Sequence, residues 1–73
     1  MKENYKLLHE KFGLRLLQER RRRRWSQERL AEKANLSKNT LSSIELGDSS
    51  PKLATVFALA DALEIPAKDL IDL

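Results

Sequence analysis

Residues 25–47 read WSQERLAEKANLSKNTLSSIELG, and this stretch decides the fold. Ser26 is placed to cap a helix from Gln27 to about Ala34, because its hydroxyl accepts an orphan backbone N–H of the first turn. Leu30, Ala31 and Ala34 then share one side of that helix, small enough to let another helix lie close. Asn35 follows, and Asn tolerates the left-handed conformation that a tight interhelical turn needs. Ser37 caps the next helix, Lys38 to about Leu46, which turns Leu41 and Ile44 inward together with Leu36. Gly47 supplies a left-handed stop.

Working outward, the spacing predicts a helix from about Asn4 to about Arg23, with Tyr5, Leu8, Phe12 and Leu16 on one apolar stripe that Arg20 continues. After the turn Asp48-Ser49-Ser50-Pro51, a helix from about Leu53 to Leu63 shows Val56, Phe57, Leu59, Ala60 and Leu63 on a broad apolar face, expected to be the most buried. Pro66 fits the first position of a last short helix, about residues 67–71, where its missing N–H costs nothing. Strand signals are poor, since no alternating run exceeds a few residues. The expectation is an all-α, five-helix domain spanning residues 1–73.

With 73 residues the core is small and folding marginal, which favours dimerisation. No apolar run approaches the roughly 18 residues of a membrane span. The polar start Met1-Lys2-Glu3-Asn4-Tyr5 lacks the features of a secretory signal, and cysteine is absent, so a cytoplasmic protein stabilised by packing alone is expected. One histidine and no glycine-rich phosphate loop argue against an enzyme, a cofactor, a metal site or a small-molecule ligand. Charge is strongly polarised: residues 1–38 carry twelve Lys/Arg against five Asp/Glu, residues 39–73 two against six. The first half is therefore suited to a polyanion, most simply nucleic acid, and the second half to core or subunit contacts.

Two short helices joined by a tight turn, small residues packing the first and polar residues studding the second, suit a second helix laid in the DNA major groove. The residues Trp25 through Ser37, then Leu41, Ile44-Glu45 and Gly47, resemble the helix-turn-helix family of lambdoid phage repressors and Cro, which includes restriction–modification controller proteins. Gly13-Leu14-Arg15-Leu16 resembles the first helix of that family, and Pro51 through Ile65 its fourth, so the likeness covers roughly residues 11 to 71. The resemblance implies a five-helix bundle that binds a double-stranded operator as a homodimer and regulates transcription, with the third helix reading bases and neighbouring turns holding phosphates.

Lys38, Asn39 and Ser43 match the base-reading positions of the family. The residues themselves agree: Lys38, Asn39, Thr40, Ser42 and Ser43 are the non-apolar positions of the third helix, and most face away from Leu41 and Ile44. Lysine donates to guanine O6/N7, asparagine pairs bidentately with adenine N6/N7, and the hydroxyls reach base edges or thymine methyls. Gln27 matches a family residue that touches a phosphate and buttresses the third helix. Arg20 and Glu45 match a family pair linking the first and third helices.

The run Arg20-Arg21-Arg22-Arg23-Arg24 places five like charges in succession, which backbone phosphates would relieve; a solvated helix end or a disordered basic patch is the alternative. Since the run circles a helix, not all five can face DNA. Arg20, Arg23 and Arg24, with Gln27, Ser37 and Ser49, form the expected phosphate-contacting set. Arg24 stands where the family usually has Gly, implying a left-handed residue or a reshaped turn. Trp25 is expected to pack beneath the turn or, secondarily, to stack on a partner, and His9 to lie on the surface. Glu19 occupies a commonly apolar family position, for which Leu17 could substitute. Dimer contacts are expected to come from within the domain, with no separate oligomerisation domain expected after the fifth helix, and Leu70, Ile71 and Leu73 are the expected dimer surface. The rival reading is an antitoxin or protein-interaction module in which that apolar tail docks another protein and DNA binding is secondary.

Overall fold

The computed structural model describes residues 2–73, with side-chain surroundings from residue 5 onward. Five helices follow one another, α1 Lys2–Arg22, α2 Gln27–Ala34, α3 Lys38–Leu46, α4 Leu53–Leu63 and α5 Ala67–Leu70, with no strand among the described residues. Packing runs α1 on α3, α2 on α4, α2 on α3, and α5 against α4 and α1. At 1.5 Å per residue the 21-residue α1 is about 31 Å long. It therefore accounts for the longest dimension of the molecule, 33 Å.

One apolar core draws on all five helices: Phe12 and Leu16 from α1, Leu30, Ala31 and Ala34 from α2, Leu41 and Ile44 from α3, Val56, Leu59, Ala60 and Leu63 from α4, and Leu70 from α5. The α1 stripe is buried only from Phe12 onward, because the shorter helices do not reach its first turns; Tyr5 and Leu8 are exposed. Phe57 departs from expectation as well. It stands 51% exposed, because the inward side of α4 is fully used by Val56, Leu59, Ala60 and Leu63.

Helices α1 to α4 all end in the same way. Arg24, Asn35, Gly47 and Glu64 take left-handed backbone, with φ of 59°, 57°, 78° and 58°. In each case the next residue's N–H reaches back five positions: Trp25 to Arg20, Leu36 to Ala31, Asp48 to Ser43, Ile65 to Ala60. This paired-bond cap satisfies the last carbonyls and turns the chain sharply. It ends α1 at Arg22, one residue before the expected boundary, and it makes Arg24 the left-handed residue that its family position implies. Pro66 is also corrected by one position: with ψ of 143° it precedes the helix, and Ala67 is the first helical residue. Ile71, at φ −103°, lies beyond α5, whose expected end is thereby shortened.

Candidate nucleic-acid interface

Helix α3 is held at both ends by its own sequence. Ser37 Oγ accepts the Thr40 N–H at 3.1 Å, and Gly47 closes the other end. At about 100° per residue, Leu41, Ile44 and Glu45 cluster inward, whereas Asn39 and Ser43 fall nearly opposite Leu41. Asn39 and Thr40 are exposed, and Ser42, on the flank, and Ser43 are half-buried. Lys38 lies on the side nearer α2, where its Nζ meets Glu28 Oε2 at 3.0 Å. The Glu28 carboxyl is held below its usual pKa by its own backbone N–H first and by Lys38 second.

The inward side of α3 is clasped to both neighbours through one carboxylate. Arg20 Nε donates to Glu45 Oε2 at 2.7 Å and Arg20 Nη2 to Glu45 Oε1 at 3.0 Å, while Gln27 Nε2 donates to Glu45 Oε1 at 2.9 Å. A further Arg20 donor, Nη1, goes to the Trp25 carbonyl at 2.9 Å. Glu45 raises the Arg20 pKa through these hydrogen bonds, and burial opposes it. The bidentate fork fixes orientation as well as distance. Close approach of α1 and α3 depends on Gly13, since a Cβ there would collide with the Ile44 carbonyl and sit 2.7 Å from that of Glu45.

This geometry corrects two of the expected phosphate contacts. Arg20 is 9% exposed and spent on Glu45 and Trp25, so it belongs to the clasp and not to a DNA surface. Arg23 turns back as well: its Nη1 donates to the Glu19 carbonyl at 2.7 Å and to Glu19 Oε1 at 2.9 Å, and its Nη2 to the Leu63 carbonyl at 2.8 Å, tying α1 to the end of α4. Glu19 is the partner that makes this possible, and the Arg23 hydrogen bond holds its carboxyl below the ordinary range. Arg21, Arg22 and Arg24 remain at the surface. Trp25 is half-buried and packs against the core as expected, and its ring also has Lys33 Nζ 4.9 Å and Arg23 Cζ 5.8 Å from its centroid, a cation–π arrangement on the outer side.

Other expected contacts are placed as follows. The Ser37 hydroxyl donates to Thr40 Oγ1 at 2.8 Å besides capping α3, so its proton is committed within the turn. The Gln27 amide is half-buried, with Glu45 on one side. Ser49 lines a shallow recess of mixed character with Thr40, Ile44, Pro51, Lys52 and Thr55, where α3 meets the start of α4. In the expected dimer surface Leu70 is corrected outright: it is fully buried against the core, whereas Ile71 and Leu73 are exposed. The turn α5 makes over α4 and α1 needs one apolar plug, and Leu70 is it.

A helix-turn-helix family profile matches residues 16–70. The chain belongs to the helix-turn-helix family. Among curated relatives of this helix-turn-helix chain, the HTH-type transcriptional regulator SutR of Escherichia coli K12 is 43% identical over 56 residues, 77% of this chain and 32% of the regulator. The immunity repressor protein of Bacillus phage phi105 is 41% identical over 59 residues, 81% of this chain and 41% of the repressor. The chain thus spans about a third of one of these relatives and about two fifths of the other. Among solved structures, the restriction-modification controller protein C.AhdI from Aeromonas hydrophila superposes with a TM-score of 0.84 at 34% identity, covering 85% of this chain and 94% of that one.

Four residues of this helix-turn-helix fold escape a reading of the sequence. Glu28 pairs with Lys38, and Leu46, 67% exposed, stands on the same outward face of α3 as Asn39, two turns further along. Leu46 was detectable, since it lies off the Leu41/Ile44 stripe. Arg15 donates to the carbonyls of Asp69 and Asp72 at 2.8 and 3.0 Å, fastening the C-terminal segment to α1, and Glu19 anchors Arg23. The Glu19–Arg23 spacing of four was a legible helix pair; carbonyl partners more than fifty residues away leave no trace in a linear pattern.

Proposed function

We propose that this chain is a sequence-specific double-stranded DNA-binding module that regulates transcription, laying α3 in the major groove. The supporting observation is the two-sidedness of α3. Its inner side is locked by Leu41, Ile44 and the Glu45 clasp, while its outer side bears exposed Asn39 and Leu46 with half-buried Ser43, and Lys38 stands exposed at the edge nearer α2. Asn39 pairs with adenine, Lys38 with guanine, Ser42, Ser43 and Thr40 reach base edges, and Leu46 meets a thymine methyl. Gln27, Arg24 and Ser49 contact phosphates and set register.

Two copies bind as a homodimer on a symmetric operator, placing their α3 helices about 34–36 Å apart, one turn of DNA. Ile71 and Leu73 supply the subunit contact beside a groove of about 400 Å³ lined by Leu8, Phe12, Pro51 and Val56. No described helix is long and apolar enough to cross a membrane. The two relatives are a transcriptional regulator and an immunity repressor, and a non-catalytic role in the cytoplasm fits that company.

The apolar groove is also the observation that favours the second reading, an antitoxin or interaction module whose partner protein covers Ile71 and Leu73. Selection of bound sequences from a random duplex library decides between them. An enriched palindrome with halves one turn apart, preferred over random duplex by about three or more decades, supports the regulator. Weak, sequence-indifferent binding refutes it.

A further inference from the structure

An acidic residue beside a base-reading helix calls for a reason. Residues 1–38 are rich in arginine and lysine, and any carboxylate near the phosphates works against that excess. Glu28 is nonetheless in the first turn of α2, its Oε2 3.0 Å from Nζ of Lys38, the first residue of α3. Both side chains are more than half exposed, 65% and 55%, so the pair contributes little to folding.

Helix position favours an acceptor at Glu28: it lies in the first turn of α2, where the positive end of the helix dipole favours an anion, and its Oε2 is within 3.0 Å of Lys38 Nζ. Lysine by contrast is a point charge on a flexible stem, with three donors and no inherent direction. One donor tied to Glu28 gives the ammonium a direction and leaves two protons, the number that guanine O6 and N7 require. A phosphate offers no such arrangement: it attracts the ammonium from any angle and repels the adjacent carboxylate.

We propose that Glu28 is a specificity-determining positioning residue, which aims Lys38 at a base edge and, by offsetting its charge, keeps it from gripping phosphates of any sequence. The assignment rests on the base-reading role of α3 given above. In the specific complex Lys38 keeps Glu28 and adds the base; in the non-specific one it must choose between Glu28 and a phosphate.

The test compares the full chain with its Glu28→Gln, Lys38→Met and doubly substituted forms, each checked for an unchanged melting curve. Base preferences are read by library selection, and affinity for random duplex is measured across a salt series. Glu28→Gln is expected to raise affinity for random duplex about two- to fivefold, the value of an exposed ion pair. Its salt dependence should steepen by up to about 0.9 in log–log slope, one phosphate charge. Preference should fall at one base pair per half-site, the pair at which Lys38→Met also loses it, and the double substitution should match Lys38→Met there.

If Lys38→Met shifts the preferences while Glu28→Gln leaves both them and the random-duplex affinity at parental values, the role of Glu28 is overturned and base reading by α3 stands. If Lys38→Met keeps the parental preferences, base reading by Lys38 fails, and the role of Glu28 falls with it.

Discussion

Replacing Glu45 by alanine is the sharpest perturbation this fold offers. The substitution removes both acceptors of the Arg20 fork and the acceptor of Gln27 Nε2, leaving Arg20 with the Trp25 carbonyl alone. Breaking a buried ion pair from one side costs about 3–5 kcal/mol, because the survivor is a desolvated charge without compensation. The Arg20 side chain retains 11% exposure, so some water reaches it and the lower end, about 3 kcal/mol, applies. A chain of 73 residues has a total stability of about 4–11 kcal/mol, so the loss is a large fraction of the whole. It should lower Tm by about 12–24 °C in far-ultraviolet circular dichroism. A companion form, Arg20→Met with Glu45→Leu, removes both charges and should recover most of the loss, because an apolar pair needs no compensation. A Tm drop below about 4 °C for Glu45→Ala, or a double form no better than the single one, would refute the clasp as described.

Four further outcomes follow from the same geometry. Gly13→Ala drives a methyl group into the α3 carbonyls and should destabilise by about 1–3 kcal/mol in urea titration. Arg24→Gly relieves a left-handed non-glycine residue and should stabilise by up to about 1 kcal/mol while weakening binding to all DNA equally; lower stability would contradict the strain. Asn39→Ala should cost about 1–3 kcal/mol on the selected operator and relax preference at one base pair, and equal loss on every duplex would exclude base reading by Asn39. Glu19, whose carboxyl is held below the ordinary range by Arg23, contributes stability that is present above its unfolded pKa and is lost as pH falls through the lower folded one; Glu19→Gln should flatten that acid limb of the stability curve.

Most of the fold was legible because helix caps and apolar spacing are local. Ser26, Ser37, Asn35 and Gly47 each mark a boundary that the structure places at the same residue. Glu64 carried no such signal: a glutamate in left-handed backbone is set by the bonds from Glu64 and Ile65 back to α4, not by its own preference. The Arg20–Glu45 pair was legible only through family likeness, helped by Arg20 continuing the Leu16 stripe. The arginine run was harder, since a string of identical charges hides its phase around the helix. Arg20 and Arg23 turned inward to carboxylates and carbonyls, and Arg21, Arg22 and Arg24 outward. Leu70 misled because an apolar chain end reads the same whether it plugs its own core or offers itself to a partner.

The division of α3 into two sides that share no residue bears on how such a protein changes its target. Leu41, Ile44 and Glu45 can stay as they are while Asn39, Ser43 and Leu46 are rewritten, so under the proposed reading of DNA by α3 new operators are reachable without disturbing the scaffold. Lys38 is the exception, for a change there strands Glu28 on a different helix. Redesign or divergence at that position is therefore expected to proceed by paired replacement, and position 28 belongs in any swap of recognition residues.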